Sequence, residues 1–253
     1  MLRTLWNGRA GLQSNQNRMD IISNNMSNVS TNGYKRLDVS FQDLVYEKIA
    51  SNGVPITAEE KENLEIGTGS RGDRIVRDMK QGIPIKTDRD EDLAIQGKGY
   101  FRLLSADQDG NSQYLYTRDG AFHLSVEGDK KYLVHSSGYR LDVEGLNPED
   151  MQGKITVNST GEVYSEEKLI GKIKLYDFKS NDGLTAIGQN LFTGEGAIEI
   201  EGNIMQGYLE NSNVDMAKEL TDMMITQRAF ELNSKSIKSA DEMWQITNNL
   251  RGR

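Results

Sequence analysis

Residues 214–250 read VDMAKELTDMMITQRAFELNSKSIKSADEMWQITNNL, with neither proline nor glycine in the whole stretch. Because proline and glycine break helices, this stretch predicts one helix of about 35 residues, about 50 Å long at 1.5 Å per residue. Successive residues lie 100° apart around a helix, which gives this one two apolar faces on roughly opposite sides. One face holds Met216, Leu220, Met223, Phe230 and Ile237, and the other holds Ile225, Ala229, Leu232, Ala240, Met243 and Leu250. We expect such a helix to lie between two layers, and a chain with only one other long helix cannot supply both.

That other helix is predicted at the amino terminus, where residues 2–29 contain no proline. Apolar residues recur there with heptad spacing, and we call them the apolar seam: Leu5, Leu12, Met19, Ile22, Met26 and Val29. Gly8 and Asn15 interrupt the seam, which weakens it as a free-standing pairing surface. Gly33 is expected to close the helix in a left-handed conformation. At the other end of the chain, Ser212 to Asp215 have the spacing of a capping box that opens the second helix.

Between the two helices the composition changes to that of a β domain. Of the 25 glycines, 16 lie from Gly97 to Gly207. Short strand-like runs are predicted there at 92–96, 99–104, 113–117, 131–135 and 172–176, separated by turn signals such as Asp109-Gly110 and Asp119-Gly120. Many short strands at this spacing favour antiparallel sheets. The polar stretch that follows Phe41 predicts an extended connector.

Charge and composition exclude several classes of protein. The net charge is −8, which argues against a nucleic-acid partner. The absence of cysteine excludes disulfides and cysteine-ligated zinc, and no apolar run is long enough for membrane insertion. The first ten residues lack the apolar core of a cleaved signal peptide. Hydrophobic residues make up only 36% of the chain, which is low for a globular domain and suggests that some apolar surface is buried between chains.

No motif predicts catalysis, a cofactor or a metal. Residues 67–72 match the dinucleotide pattern G-x-G-x-x-G, but an apolar strand before them and a long helix after them are both missing. Residues 107–111 resemble a calcium loop without its later ligands, so a hairpin turn is the better interpretation. His123 and His135 could face each other across a hairpin, yet two imidazoles make an incomplete zinc site. The chain is therefore predicted not to be an enzyme.

One motif begins in the last turns of the first helix and carries a resemblance to a known family. Its residues are Asn24, Asn25, Asn28, Thr31, Gly33, Tyr34 and Lys35. They resemble the amino-terminal signature of the axial proteins of the bacterial flagellum, which are rod, hook and hook-associated proteins; Met26 and Ser27 stand where Leu and Ala are usual. Three further stretches resemble the family in the same order, at 92–101, 116–122 and 207–243.

The resemblance implies an α+β fold with two parts. The long terminal helices form a coiled-coil-like inner domain (D0), and a Gly-rich antiparallel all-β outer domain (D1) lies between them. The expected segments are 1–36 for the first helix and turn, 37–81 for the connector, 82–207 for the outer domain and 208–253 for the last helix. Length, the opening Met1 to Trp6 and the stretch after Phe41 favour a distal-rod member over a proximal-rod or hook paralogue.

The resemblance also implies a function. The chain is expected to be a structural subunit of the flagellar basal body, exported by the flagellar type III apparatus and polymerised helically with itself, other rod proteins and hook protein to transmit torque. The residues expected to carry assembly are the apolar seam together with Met223, Phe230 and Ile237. For these apolar residues the alternative is a helical hairpin within one chain. For the function, the alternatives of another class are a soluble binding module or an enzyme acting on peptidoglycan.

Overall fold

A computed structural model describes residues 2–43, 46–48, 65–67, 70–106, 112–128, 130–146, 154–166, 168–179 and 183–251. The chain divides into two compact units. Unit 1 consists of Met1–Ser27, Leu37–Asp78 and Asp215–Arg253, and unit 2 consists of Asn28–Arg36 and Met79–Val214. The nine residues from Asn28 to Arg36 therefore belong to unit 2, although the chain on both sides of them belongs to unit 1.

Unit 1 holds two long helices and short antiparallel strands. The helices are α1 (Leu2–Ser27) and α2 (Met216–Arg251), and the strands are β1 (Leu37–Asp43), β2 (Tyr46–Lys48), β3 (Glu65–Gly67) and β4 (Ser70–Arg77). β1 pairs with β4, and β2 pairs with β3. Asp215 caps α2, because its Oδ1 accepts hydrogen bonds from the N–H groups of Ala217 and Lys218 at 3.0 and 3.3 Å. The expected capping box at Ser212 is wrong, since the helix begins after Asp215 and the Ser212 hydroxyl instead accepts from the Val214 N–H.

α1 and α2 pack against each other in antiparallel orientation at small residues. A Cβ atom at Gly8 would lie 2.7 Å from Cγ1 of Ile237, and one at Gly11 would lie 2.7 Å from Nδ2 of Asn233. Farther along, Arg18 lies 3.9 Å from Asp222. Gly8 thus allows the close approach of α2. The predicted end of α1 at Gly33 is wrong, because the helix stops at Ser27.

The rotation of α2 about its axis differs from the sequence expectation. Thr226 and Ala240 are buried, and Met223, Phe230 and Ile237 are half-buried on the same side. Met216 and Leu220, predicted to share that side, are exposed, while Ala240, predicted on the opposite side, is buried. The reason is that the contact with α1 is centred on Asn233 and Ile237, where the glycines of α1 permit the closest approach.

Unit 2 is built from antiparallel strands. They are β5 (Pro84–Lys86), β6 (Leu93–Gln96), β7 (Tyr100–Ala106), β8 (Ser112–Thr117), β9 (Phe122–Glu127), β10 (Lys130–His135), β11 (Arg140–Leu141), β12 (Val143–Glu144), β13 (Ile155–Val157), β14 (Glu162–Ser165), β15 (Lys168–Ile173), β16 (Leu175–Phe178), β17 (Thr185–Gly188), β18 (Leu191–Thr193), β19 (Ala197–Ile200), β20 (Asn203–Gln206) and β21 (Tyr208–Glu210). A nine-stranded sheet has the path β17-β18-β8-β7-β11-β10-β9, with β16 joining β7 and β19 joining β16. A four-stranded sheet has the order β12-β15-β14-β13. β20 pairs with β6, and β21 pairs with β5.

Two apolar clusters fill unit 2. The larger contains Phe101, Phe122 and aliphatic side chains from both sheets. The smaller is aromatic and consists of Tyr100, Tyr116, Tyr176, Phe178 and Phe192. Its rings meet edge to face, as between Tyr116 and Phe178, whose centroids are 4.9 Å apart at 89°. Burying several aromatic residues on each side of the sheet gives unit 2 a core of its own.

The coarse prediction of an α+β fold with terminal helices and a strand-rich centre is confirmed. The predicted strand at 172–176 is wrong in one detail, because β15 ends at Ile173 and β16 begins at Leu175. The histidines do not face each other: His135 pairs with Phe122, and His123 pairs with Val134. Neighbouring positions on a strand point to opposite faces, which leaves His123 exposed and His135 buried.

Candidate functional site

Three charged side chains from distant parts of the sequence meet in the interior of unit 2. Lys35, Arg118 and Glu210 are 1, 4 and 1% exposed, and we call them the ion cluster. Glu210 is at its centre. Its Oε1 accepts hydrogen bonds from Lys35 Nζ and from the Gly82 N–H, the latter at 2.9 Å, and its Oε2 lies 3.2 Å from an Arg118 nitrogen.

The ion cluster contains two cations and one anion, so the remaining donors need other acceptors. Lys35 Nζ also donates to the Lys80 carbonyl at 2.8 Å, and Arg118 donates to the Gly97 carbonyl at 2.5 Å. A buried charge is tolerated only when it is paired and hydrogen-bonded, because it has lost its water. Every member of the ion cluster meets that condition, and Glu210 is the partner that Lys35 and Arg118 share.

The segment from Asn28 to Arg36 brings Lys35 to this position. A turn forms where the Thr31 N–H donates to the Asn28 carbonyl at 3.2 Å and the Thr31 hydroxyl to the Asn28 side chain at 3.1 Å. Gly33 then takes a positive φ of 66°, and its N–H donates to the Glu210 carbonyl at 2.8 Å. A Cβ atom there would lie 2.6 Å from the Asp119 nitrogen, so both the backbone conformation and the space require glycine.

Asn25 of the predicted motif lies in unit 1, at the end of α1. Its side-chain oxygen accepts from the Leu37 N–H at 2.9 Å, and its nitrogen donates to the Leu37 carbonyl at 2.8 Å. The same nitrogen donates to Oε2 of Glu219 at 3.2 Å, and both Asn25 and Glu219 are fully buried. The Asn25 amide thus replaces a strand partner for Leu37 and ties the start of β1 to α1 and α2. Asn24 is exposed.

Two amides in unit 2 bridge backbone segments in the same way. The Gln81 side chain donates to the Ile95 carbonyl at 2.7 Å and accepts from the Gly97 N–H at 3.0 Å. Asn213 accepts from the Arg36 N–H at 2.7 Å and donates to the Lys80 carbonyl at 3.1 Å. These bonds fix the segments that surround the ion cluster, because each amide satisfies a donor and an acceptor that no strand reaches.

A second, more exposed charge group joins the two sheets of unit 2. Lys174 Nζ lies 2.8 Å from Glu144 and 2.9 Å from Glu199. Hydrogen bonding to Glu144 and then to Glu199 raises the pKa of Lys174, and the hydrogen bond from Lys174 lowers the pKa of Glu144. In the aromatic cluster, burial raises the pKa values of Tyr116 and Tyr176. None of these groups lies beside a further acid or base in a way that suggests catalysis.

Of the residues predicted to carry assembly, Ile237 lies at the contact between the helices, beside Gly8. Ile22 is buried, and Leu5, Leu12, Met19, Met26 and Val29 are half-buried, as are Met223, Phe230 and Ile237. The side of α2 away from α1 is different, since it leaves large apolar side chains in water. We call it the outward face: Met216, Leu220, Met224, Ile225, Leu232, Met243, Ile246 and Leu250.

The discounted motifs have no catalytic geometry in the part of the chain that the structure describes. Residues 65–67 and 70–77, which contain most of the glycine pattern, are strands β3 and β4, and no helix follows them directly. The calcium-like stretch 107–111 lies outside the described residues. Among those described, no group of three or more metal-ligating side chains comes together. None of the described helices is both long and apolar enough to cross a membrane.

Comparison with known proteins places this geometry in a family. Three family models match successive parts of the chain: "Flagella basal body rod protein" at residues 5–35, "Flagellar hook protein FlgE/F/G D1 domain" at 94–165 and "Flagellar basal body rod FlgEFG protein C-terminal" at 205–250. The "Flagellar basal-body rod protein FlgG" of Buchnera aphidicola subsp. Acyrthosiphon pisum is 39% identical, with 97% of this chain and 98% of that protein aligned. The chain belongs to the flagellar basal-body rod proteins.

Two other rod-family relatives are similar over nearly their whole length. FlgG of Borreliella burgdorferi is 36% identical, with 99% of each chain aligned. The "Flagellar hook-basal body complex protein FlhP" of Bacillus subtilis is 32% identical, with 99% of this chain and 100% of that protein aligned. The family is structural, so the prediction that this chain is not an enzyme is confirmed. As a basal-body rod protein it is a structural subunit of the bacterial flagellum that assembles with other flagellar components.

The ion cluster connects the three matched regions of this rod protein. Lys35 lies in the first, Arg118 in the second and Glu210 in the third. Lys35 is in the predicted motif, whereas Arg118 and Glu210 are absent from the predicted site residues. No periodicity or spacing links positions 35, 118 and 210. The one available signal was that both missed residues lie within stretches that resemble the family.

Proposed function

We propose that this rod protein polymerises helically with copies of itself through the outward face of α2. The observation that carries the proposal is the arrangement of α2, whose one side packs on α1 while the other exposes eight large apolar side chains. Isolated exposed apolar residues are ordinary, but eight of them on a single long helix are typical of an interaction surface. A second copy is the partner proposed because the family forms a rod, which requires repeated subunits.

The geometry of contact favours a filament. The outward face of one copy has to meet a different surface of the next, since α2 already uses its other side against α1. Such a head-to-tail contact extends into an open helix when its rotation does not close a ring. We propose that residues 1–36 and 208–253 form the coiled-coil-like inner domain of this filament, joined by the connector 37–81 to the outer domain 82–207.

In this proposal assembly has two steps. The seam residues within α1, together with Met223, Phe230 and Ile237, first join α1 to α2 within one copy. The outward face then joins copies to one another. The Asn25, Asn28 and Lys35 motif fixes the turn that follows α1.

The proposed role is mechanical transmission of torque from the motor to the hook. The partners are copies of the same chain, other rod proteins and the hook protein, and the export route is the flagellar type III apparatus. The distal rod is the proposed position. The similarity to FlhP over the whole chain favours a second candidate, a paralogue elsewhere in the hook-basal body complex.

Substitution on the outward face tests the proposal without disturbing the contact with α1. Leu232 is exposed, so Leu232→Asp is expected to leave the folded monomer unchanged and to abolish filaments and swimming, because a charge in a covered apolar contact has no partner. Leu232→Met keeps the side chain apolar and serves as the matched control. Electron microscopy of concentrated protein and motility assays give the readout. Normal filaments from Leu232→Asp would contradict the proposal.

A further inference from the structure

We propose that the outward face of α2 is a site of reversible methionine oxidation that controls whether a subunit assembles, an inference that rests on the proposed polymerisation. The chain contains ten methionines and no cysteine, so thioethers are its only oxidisable sulfur groups. Three of them are exposed along α2: Met216, Met224 and Met243 are 40, 59 and 56% exposed.

The other described methionines are less accessible. Met19, Met26, Met79, Met205 and Met223 are all half-buried. Met79 is additionally engaged in unit 2, where its sulfur accepts a hydrogen bond from the Tyr100 hydroxyl at 3.4 Å. Because susceptibility to oxidation follows exposure, a limited dose of oxidant is expected to reach the outward face first.

The reaction is a two-electron oxygen transfer from a peroxide. With hydrogen peroxide, the O–O bond breaks and one oxygen forms a bond to the methionine sulfur. The sulfur is oxidised to a sulfoxide, and the peroxide is reduced to one molecule of water. Methionine sulfoxide reductases reduce the sulfoxide back to the thioether, so the modification is reversible.

Oxidation makes the methionine side chains of the outward face polar, whereas the proposed contact depends on their being apolar. A thioether is flexible and apolar and fits irregular contacts, whereas a sulfoxide carries a strong hydrogen-bond acceptor. In the monomer that oxygen is solvated by water and costs nothing. In a filament the neighbouring copy would cover it among Leu220, Ile225 and Leu232, whose own side chains offer no donor. Oxidation should therefore oppose assembly while leaving the folded chain intact.

The same geometry predicts protection after assembly. Once a neighbour covers the outward face, peroxide no longer reaches the three sulfur atoms. Free subunits are then sensitive and assembled subunits resistant, which makes oxidation a selection step before incorporation.

The test uses the full chain and hydrogen peroxide. Monomer is treated with peroxide, the excess is removed with catalase, and the modified positions are mapped by mass spectrometry. The critical concentration for filament formation, measured by sedimentation, is expected to rise at least tenfold and to return after treatment with methionine sulfoxide reductases. Filaments treated in the same way are expected to oxidise at Met224 and Met243 at least tenfold more slowly than monomer.

The matched control replaces the three sulfurs while keeping the face apolar. A variant with Met216→Leu, Met224→Leu and Met243→Leu is expected to assemble like the unmodified chain. Its critical concentration is expected to stay the same after treatment with peroxide. If oxidation does not change the critical concentration of the unmodified chain, or if it raises that of the variant equally, the oxidation inference is wrong and the proposed polymerisation stands. If the unoxidised chain forms no filaments at any concentration, the proposed function is overturned together with the inference.

Discussion

The two compact units of this rod protein bury their side chains in different ways. Unit 2 surrounds two apolar clusters with antiparallel strands and closes the ion cluster with charges of its own. Unit 1 relies on two long helices whose contact includes Gly8 and Gly11, and α2 leaves eight large apolar side chains of its outward face in water. Unit 2 therefore buries its apolar and charged side chains without a partner. Unit 1 instead leaves apolar surface that a neighbouring molecule can cover.

This difference follows from the free energy that each unit can gain when it folds without a partner. Burial of a large aliphatic or aromatic side chain contributes roughly 1.5–3 kcal/mol, while ordering one residue's backbone costs about 1–2 kcal/mol. Unit 2 buries many large side chains in a compact space. α2 orders 36 residues and turns only part of its apolar surface toward α1. A neighbour on the outward face would supply the missing gain and couple folding to assembly.

The aromatic residues allow the two units to be followed separately. Trp6 and Trp244 are the only tryptophans, and both belong to unit 1. Of the ten tyrosines, all except Tyr46 belong to unit 2. Tryptophan fluorescence thus reports on unit 1, and near-ultraviolet circular dichroism of tyrosine reports on unit 2.

Glu210→Gln should produce the largest change and should affect unit 2. The substitution breaks the two buried ion pairs that Glu210 makes with Lys35 and Arg118, at an expected loss of about 3–5 kcal/mol in the free energy of unfolding. Urea unfolding followed by the tyrosine signal measures it. Glu201→Gln changes an exposed glutamate and is the control. Equal stability of the two variants would show that the ion cluster is not needed.

Asn25→Ala should produce a smaller loss, and in unit 1. The variant leaves the Leu37 N–H and carbonyl without the amide and removes a donor from buried Glu219, for an expected loss of about 1–3 kcal/mol. Urea unfolding followed by tryptophan fluorescence gives the value. Ser23→Ala, at an exposed position of the same helix, is the comparison. A larger shift in the tyrosine signal than in the tryptophan signal would argue against the separation of the units.

Gly8→Ala and Gly11→Ala should differ from each other by about 1 kcal/mol. Alanine favours a helix over glycine by about 1 kcal/mol at both positions. At Gly8 the new methyl group meets the branched stem of Ile237, which has to move, whereas at Gly11 it meets the movable end of Asn233. Thermal unfolding at 222 nm should therefore show Gly11→Ala as the more stable variant. The reverse order would mean that α1 and α2 do not meet at these residues.

Lys174→Met should have the smallest effect, a small loss of stability between pH 4.5 and 10.5 that disappears toward the pH extremes. The lowered pKa of Glu144 contributes stability above its ordinary value of 4.5, and this is lost as the pH falls through the folded value. The raised pKa of Lys174 contributes stability below its ordinary value of 10.5, and this is lost as the pH rises through the folded value. The variant should lack both dependences in unfolding experiments at low salt. Lys172→Met is the control, and an identical pH profile for both would contradict the assignment.

Local patterns predicted the elements better than the contacts between them. The helix α2 follows from the absence of proline and glycine, and β7 and β8 follow from apolar runs between turn signals. The rotation of α2 did not follow, because its packed side is set by where Gly8 and Gly11 of a distant helix allow approach. A helical wheel contains no information about that partner.

The ion cluster was the other feature that local patterns could not reveal. Lys35, Arg118 and Glu210 look like ordinary surface charges in the sequence, since nothing near each of them marks burial. Their pairing depends on long-range topology that brings β21 beside the segment from Asn28 to Arg36. By contrast, Gly33 could be assigned to a left-handed conformation from the motif alone, although it serves a turn rather than the end of α1.

Hydrogen exchange on a verified monomer and on filaments tests the central claim most directly, which is that unit 2 is complete alone and unit 1 is completed by neighbours. In the monomer, amides of β7 and β8 should exchange slowly, while those from Met216 to Met243 should exchange faster, because only α1 covers α2 and local opening of the helix costs less free energy. In filaments the α2 amides should become slow as well. Slow exchange throughout Met216 to Met243 in the monomer would contradict the account and favour a self-contained helical hairpin.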